Sequence, residues 1–580
     1  MSVKKFFPIL TWGKNYRIDY FRDDLIAAII IAMMLVPQSL AYALLAGLPP
    51  QLGLYASILP LFVYAIFGTS STLSVGPFAI SSIMTASALA IAFPDGSLAN
   101  YLAGAAVLAL FSGAFLLLFG LLRLGLLSNF LSFPVVSGFI SASALVIVVS
   151  QFGHLLGVHS SGDSLLALVM SLFSQIDYIN LYTMLTGVTS YLLLWLMPVS
   201  LKRMTMIFGL AESWATFLSK TTPIIVVVIA IVLVQFFALD KKGVTIVGTI
   251  PQGLPVIQVA VWTGLEWDVA TWKSLLTSAL LISIIGFVSA LSVAQSFAAK
   301  RRERIDPNQE AIGLGLANLA SGISGAFPLS ASMSRSAVSF NAGARTPAAG
   351  AFGAIGVGFT AVFFTSVLYY LPIATLAAMI MLAVTSLIDI GAMKRTWGYS
   401  RQDFAALLLT VVITLAQGIE LGLICGVVLA IALHLYDSSN PHIAVLGKVV
   451  GTEHFRNVDR HAVELCEEFV SFRVDESLYF ANARFLEDKV NALVAEHPCA
   501  KNFVLLCSAI NKIDSTGLES LGAINQLLIE AGIKFHLSEV KGPVLDRLKH
   551  TDFLDRLSGN VYLSHYQAWT NLVVNDAGES

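Results

Sequence analysis

Long apolar runs separated by short polar breaks fill the chain as far as residue 437, and the pattern then changes to short alternating runs. About 20 apolar residues make an α-helix long enough to cross a hydrocarbon layer about 30 Å thick. Runs of this type predict helices over 24–45, 51–67, 99–120, 129–151, 183–200 and 222–239 in a first half. A second half repeats them over 272–298, 310–326, 347–370, 372–389, 403–416 and 419–436. Two stretches break the pattern. The polar, β-prone run Gly68 to Pro77 leads at Phe78-Ala79 into an apolar segment too short to cross alone, and 331–343 contains Ser332-Met333-Ser334-Arg335-Ser336. Each break is third in its half. The expected fold is therefore a polytopic α-helical membrane protein of 14 spans, built as two inverted seven-helix repeats at about 24–239 and 272–436. Interrupted spans in corresponding positions of two halves point to a transporter site near the bilayer midplane.

Beyond Tyr436 the runs Ile443–Val449, Val463–Val474, Phe503–Ala509 and Ile533–Val540 have strand character, and they alternate with helical patterns near 482–496, 516–531 and 542–550. This predicts a transmembrane domain over 1–437 followed by a small α/β domain over 438–580. Charge supports the division: 38 Asp, Glu, Lys and Arg residues lie in the first 437 positions and 32 in the last 143. Charged residues are 12% of the whole chain, against about 25% in a soluble domain.

Lysine and arginine placement orients the spans, because cytoplasmic loops collect them. With both termini inside, the inner loops receive Lys4, Lys5, Lys14, Arg17, Arg22, Arg123, Lys202, Arg203, Lys220, the cluster Lys300-Arg301-Arg302-Glu303-Arg304, Arg345, Lys394, Arg395 and Arg401. Only Lys241, Lys242 and Lys273 fall outside. The net charge of −2 excludes a basic nucleic-acid surface. Cys425, Cys466, Cys499 and Cys507 have no metal-ligand spacing, and His154 and His159 sit in an outer loop without metal-like company. No metal, cofactor or catalytic constellation is implied.

The candidate chemistry lies at the two breaks. A helix beginning inside the membrane presents unpaired N–H groups and roughly half a positive charge, which suits an anion. Pro77 fits such a start, since proline lacks the donor that would be orphaned there. Arg335 adds a full charge at a depth where a cation costs about 2.5 to 3.5 kcal/mol unless it faces protein or water. Two structural alternatives stand beside this reading: Gly76-Pro77 as an ordinary kink, and Arg335 tied to a buried carboxylate. Gln38 and Tyr42, one helical turn apart after Pro37, supply amide and phenol donors to the anion or hold helices together. The glycines Gly313, Gly315, Gly322 and Gly325, and Gly350, Gly353, Gly356 and Gly358, are explained by close helix packing.

Together these residues resemble the sulfate permease family, the bacterial relatives of the solute carrier 26 anion transporters. The resemblance rests on Val36-Pro37-Gln38-Ser39-Leu40-Ala41-Tyr42-Ala43, Ala46 to Pro50, Gly53-Leu54-Tyr55, Val75-Gly76-Pro77, Asp306-Pro307-Asn308-Gln309-Glu310 and Ser334-Arg335-Ser336-Ala337-Val338. It implies a core and a gate subdomain, a homodimer in the bacterial inner membrane, and a cytoplasmic STAS domain as the tail. It also implies a substrate site in which Phe78 and Ala79 face Met333, Ser334 and Arg335, completed by Gln38 and Tyr42. Asp514-Ser515-Thr516-Gly517 resembles the loop where relatives of STAS domains accept phosphate, which makes Ser515 and Thr516 candidate modification sites. One departure stands out. Where proton-coupled members carry a glutamate, this chain reads Gly286-Phe287-Val288-Ser289-Ala290, and a serine does not titrate between pH 5 and 8. The expected activity is secondary transport of a small inorganic anion, sulfate first, with bicarbonate, chloride or dicarboxylates as alternatives and an uncoupled anion channel as the alternative of another class. The coupling partner is open among proton, sodium and counter-anion, and a cytosolic partner of the STAS domain is an open expectation.

Overall fold

The computed structural model describes residues 6–125, 132–158, 162, 164–207, 218–219, 221–255 and 267–574. Lys4, Lys5, His159, Lys220 and the first residues of the span expected at 129 lie outside them. The chain divides into two compact units, Met1–Ala430 and Ile431–Ser580.

In the first unit, α1 (Ile18–Leu45) is followed by two short helices, α2 (Gln51–Tyr55) and α3 (Leu59–Phe67). A single helix was expected over 51–67; Pro60, in the first turn of α3, starts a new one. The strand β1 (Val75–Gly76) leads into α4 (Ala79–Ala92), and then come α5 (Leu98–Leu121), α6 (Phe133–Leu156), α7 (Leu165–Ser174), α8 (Leu181–Ile207) and α9 (Thr222–Phe237). The second half contains α10 (Val269–Arg301), α11 (Pro307–Ile323), β2 (Ser330–Ala331), α12 (Met333–Asn341), α13 (Ala348–Phe363), α14 (Ile373–Thr385), α15 (Ile390–Tyr399), α16 (Arg401–Gln417) and α17 (Ile419–Ser439). Among the described residues seven segments are long and apolar enough to cross a membrane, one of them, Ile373–Tyr399, running through both α14 and α15. The expected span 372–389 ends early because the Asp389 side chain accepts the Ala392 N–H at 2.7 Å and caps a new helix, α15.

Helices α5 and α11 pack backbone to backbone. A Cβ on Gly113 would lie 2.8 Å from the Gly315 carbonyl oxygen, and one on Gly315 would lie 3.0 Å from that of Gly113. Only hydrogen fits at both positions, so this contact holds α11 in place beside the two broken segments.

The second unit carries a six-stranded sheet in the order β4-β3-β5-β6-β7-β8, from β3 (Ile443–Lys448), β4 (Phe455–Asn457), β5 (Phe469–Val474), β6 (Asn502–Leu506), β7 (Lys534–Ser538) and β8 (Val561–Tyr562). Strands β5 to β8 are parallel, and β3 pairs antiparallel with β4 and β5. Every residue of β6 is buried: Phe503 and Leu505 enter one core cluster, Val504 and Leu506 another. Burial on both faces explains its continuous apolar run. The strand expected from Val463 begins only at Phe469, while Glu464 forms an isolated bridge to Lys448. Helices α18 (Ala483–Glu496), α19 (Ser515–Glu530) and α20 (Gly542–Leu548) follow the expected pattern. The short α21 (His565–Trp569) was not expected. Its His565 lies between the hydroxyls of Ser471 and Ser538, at 2.5 and 2.6 Å, and burial lowers this histidine from 6.5 to about 4.

Candidate anion site

The two broken segments meet in one ladder, Val75 opposite Ala331 and Gly76 opposite Ser330. The ladder is antiparallel and each strand feeds directly into a helix. Helix α4 therefore leaves one end and α12 the other, with their N-termini confronting each other across it. At 1.5 Å per residue the 14 residues of α4 reach about 21 Å and the nine of α12 about 14 Å, so neither crosses a bilayer alone. Neither start has a side-chain cap: Phe78 and Ser332 precede the helices without a capping hydrogen bond. The first-turn N–H groups of both point into the space between them.

Arg335, on the first turn of α12, is 1% exposed. Its Nη2 donates to the Pro77 carbonyl at 2.9 Å, immediately before α4, and Nη1 makes a longer contact of 3.4 Å with Gln38 Oε1. Its Nε is buried with no partner. Among the described residues no carboxylate pairs with Arg335. The buried carboxylates of the unit are engaged elsewhere. Asp24 accepts from the backbone of Arg345 and Thr346 and from the Thr346 hydroxyl, at 2.6, 3.1 and 2.6 Å. Glu310 accepts from Tyr64 Oη at 2.8 Å, Thr69 N at 2.8 Å, Ser70 N at 3.0 Å and the Thr69 hydroxyl. The guanidinium thus ties the two half-helices together and leaves its charge uncompensated. Gly76 permits this approach: its φ is +145°, and a Cβ there would stand 3.4 Å from Arg335 Nη2.

The structure brings most of the expected residues together. Gln38 touches Arg335, Tyr42 is close enough to interact with it electrostatically, and Tyr42 shares an apolar cluster with Ala79. Phe78 and Ala79 are buried, whereas Met333 and Ser334 are exposed at the start of α12. Ser289 lies apart, on α10, three residues beyond Gly286, whose carbonyl accepts from the Ser330 hydroxyl at 2.7 Å. It is Gly286 through which α10 meets the ladder. Ser515 and Thr516 are in the second unit, exposed at the start of α19, where the Asp514 carboxylate accepts the Gly517 N–H at 2.8 Å. Ser515, with Arg547 of α20, lines a cavity of about 130 Å³.

Sequence reading missed the residues that hold the segments leading to the ladder. Helix α11 supplies both sets. Glu310 holds Thr69 and Ser70 before β1. Asn318 brackets Leu329 before β2, accepting from its N–H at 2.9 Å and donating to its carbonyl at 3.1 Å. The rarity of intramembrane charge that singled out Arg335 applies equally to Glu310.

Half-helices meeting inside a bundle of apolar spans, on a chain that continues into a mixed α/β unit, define a membrane transporter rather than an enzyme. The chain belongs to the sulfate permease family: the family model matches residues 21–410, and a STAS domain model matches 462–568. Sulfate transporter 4.1, chloroplastic, of Arabidopsis thaliana is 35% identical over 90% of this chain and 76% of its own length. Probable sulfate transporter Rv1739c of Mycobacterium tuberculosis is 32% identical over 95% of both. Among solved structures, the murine Solute Carrier 26 family member A9 anion transporter in the inward-facing state matches with a TM-score of 0.88 at 23% identity, over 100% of this chain and 95% of that one. The transmembrane domain of a cyanobacterium bicarbonate transporter, BicA, matches with a TM-score of 0.60 at 22% identity, over 71% of this chain and 98% of that one. These two likenesses concern the fold.

Proposed function

We propose that the protein transports sulfate across the bacterial inner membrane, holding the anion between the N-termini of α4 and α12. The observation that carries this reading is an arginine in no ion pair among the described residues, placed between two uncapped helix starts. Dipole ends and a guanidinium act together on a divalent anion, and first-turn N–H groups replace part of its water shell. Gln38, Tyr42, Phe78, Ala79, Met333 and Ser334 form the rest of the site. The names of the curated relatives favour sulfate over other anions. Transport proceeds by elevator-like movement of a core that carries both half-helices against a gate, in a homodimer whose termini and STAS domain are cytoplasmic. Phosphorylation of Ser515 or Thr516, at the start of α19, is the proposed modification of that domain.

Uptake of labelled sulfate into proteoliposomes, with proton, sodium and counter-anion gradients imposed one at a time, tests the reading. Accumulation above equilibrium under one gradient, reduced in Ser334→Ala and reduced more deeply in Arg335→Ala at low sulfate, is the expected result. Equilibration without accumulation would indicate a channel. No sulfate movement by folded protein would overturn the substrate and turn the assay to bicarbonate.

A further inference from the structure

We propose that the crevice between α8 and α9 holds one phospholipid with an anionic headgroup, its phosphate on Lys241 and Lys242 and one acyl chain along the two helices. Lysine placement marks the spot. Most lysines and arginines between the spans collect on one side, and Lys241 and Lys242 are two of the three that fall on the other. They end the short 3-10 turn Leu239–Lys242 that follows α9, and both are exposed. Lys242 Nζ stands 5.1 Å from the centre of the Tyr182 ring, on the first turn of α8. Asn180 holds that arrangement. Its Nδ2 donates to the Lys242 carbonyl at 3.0 Å, and its Oδ1 accepts the Thr183 N–H at 3.0 Å.

From Tyr182 a crevice of about 290 Å³ runs between the helices, walled by Leu185 and Leu193 of α8 and by Val226, Ile229, Leu233 and Phe237 of α9. Leu185, Leu233 and Phe237 are exposed, so lipid reaches it from the side. Two of its three hydroxyls are already engaged: Thr186 donates to the Tyr182 carbonyl at 2.7 Å, and Ser190 shares a hydrogen bond of 2.8 Å with Thr375 of α14. Little remains to hold water, and the walls suit methylene groups. The lining extends over eleven positions on each helix, from Tyr182 to Leu193 and from Val226 to Phe237. At 1.5 Å per residue that is about 16 Å, and half of a hydrocarbon layer about 30 Å thick is about 15 Å. The crevice is therefore as long as one leaflet is deep, with the lysines and the tyrosine at the end where a headgroup belongs.

Lipid tails are as apolar as the leucines they touch, so the crevice alone fixes a shape and selects no headgroup. The lysines supply the selection. Each ammonium near a membrane surface contributes about fivefold to the affinity for an anionic headgroup. Asp240, beside them in the same turn, offsets part of the pair and leaves a net charge of one. The Tyr182 ring keeps Lys242 over the crevice, where a phosphate ester on the tail it holds would stand.

Native mass spectrometry of the full-length protein, released from detergent micelles containing equal amounts of phosphatidylglycerol and phosphatidylcholine, tests the assignment. Wild type is expected to retain phosphatidylglycerol about fivefold over phosphatidylcholine. The double variant Lys241→Gln, Lys242→Gln should retain the two equally. Lys273→Gln, which removes the third lysine of that side from α10, should behave as wild type. Thr189→Trp, at an exposed position of the lining, places an indole in the crevice and should lower retention of both lipids at least threefold. Monodisperse elution reports folding for every variant. Four results would each overturn the proposal: no preference in wild type, a preference that survives loss of both lysines, a preference lost in K273Q, or unchanged retention in T189W. Displacement of the lipid by an equal concentration of glycerol phosphate would do so as well, since the tail would then add nothing.

Discussion

Val75–Gly76 and Ser330–Ala331 share one ladder, yet the helix after the first begins with the buried Phe78 and Ala79, and the helix after the second with the exposed Met333 and Ser334. The approaches differ as well. A carboxylate, Glu310, holds the residues before β1, and a neutral amide, Asn318, holds those before β2, both from the same helix, α11. Backbone symmetry and chemical symmetry have separated. The first segment supplies a dipole and a carbonyl on which Arg335 rests; the second supplies the charge and the accessible surface. Repeats that share a backbone plan can thus form one site of two unlike halves.

The largest expected effect separates the two approaches. Glu310→Ala strips the acceptor from four donors and should destabilise the purified protein by about 4 kcal/mol, whereas Asn318→Ala, which frees one N–H and two carbonyls, should cost about 2 kcal/mol. Thermal unfolding in one detergent compares them directly. Equal losses would mean that charge does not distinguish the two supports.

Next comes the charge itself. Arg335→Ala should raise the half-saturating sulfate concentration by roughly thirtyfold, about 2 kcal/mol of lost charge-assisted interaction. Arg335→Lys keeps the charge but cannot span Pro77 and Gln38 with a planar fork, so it should recover part of the affinity and little of the turnover. Full recovery by lysine would make the bond to Pro77 incidental and leave charge as the whole contribution of the second segment.

How much of this was legible depended on whether a feature leaves a pattern along the chain. The spans were legible because each is a long run written for hydrocarbon, and the breaks because glycine, proline and serine interrupt such runs. Arg335 stood out as an arginine among apolar residues. The helix starts at Leu59 and Ile390 were masked by the apolar residues around them, although Pro60 and Asp389 carried the signal. The strands β4 and β8, of three and two residues, are too short to show a period. The pairing of Glu310 with Thr69 and of Arg335 with Pro77 joins positions more than 240 residues apart, which no local pattern encodes.

The smallest expected effect tests whether the ladder does more than hold the halves together. Ser336 Oγ accepts the Ser74 N–H at 2.9 Å, and the Ser332 N–H donates to the Ser74 carbonyl at 3.1 Å, so both backbone groups of Ser74 are taken by the second segment. Ser336→Ala removes one of these bonds and orphans a buried donor, at a cost of about 1 kcal/mol. Amide exchange in a peptide covering residues 73–76 should quicken, because local opening there becomes easier. Transport should stay within about twofold of wild type, since Arg335 and both helix starts remain in place. A loss as deep as that of Arg335→Ala would show that the register between the two segments, rather than the charge on one of them, limits the cycle.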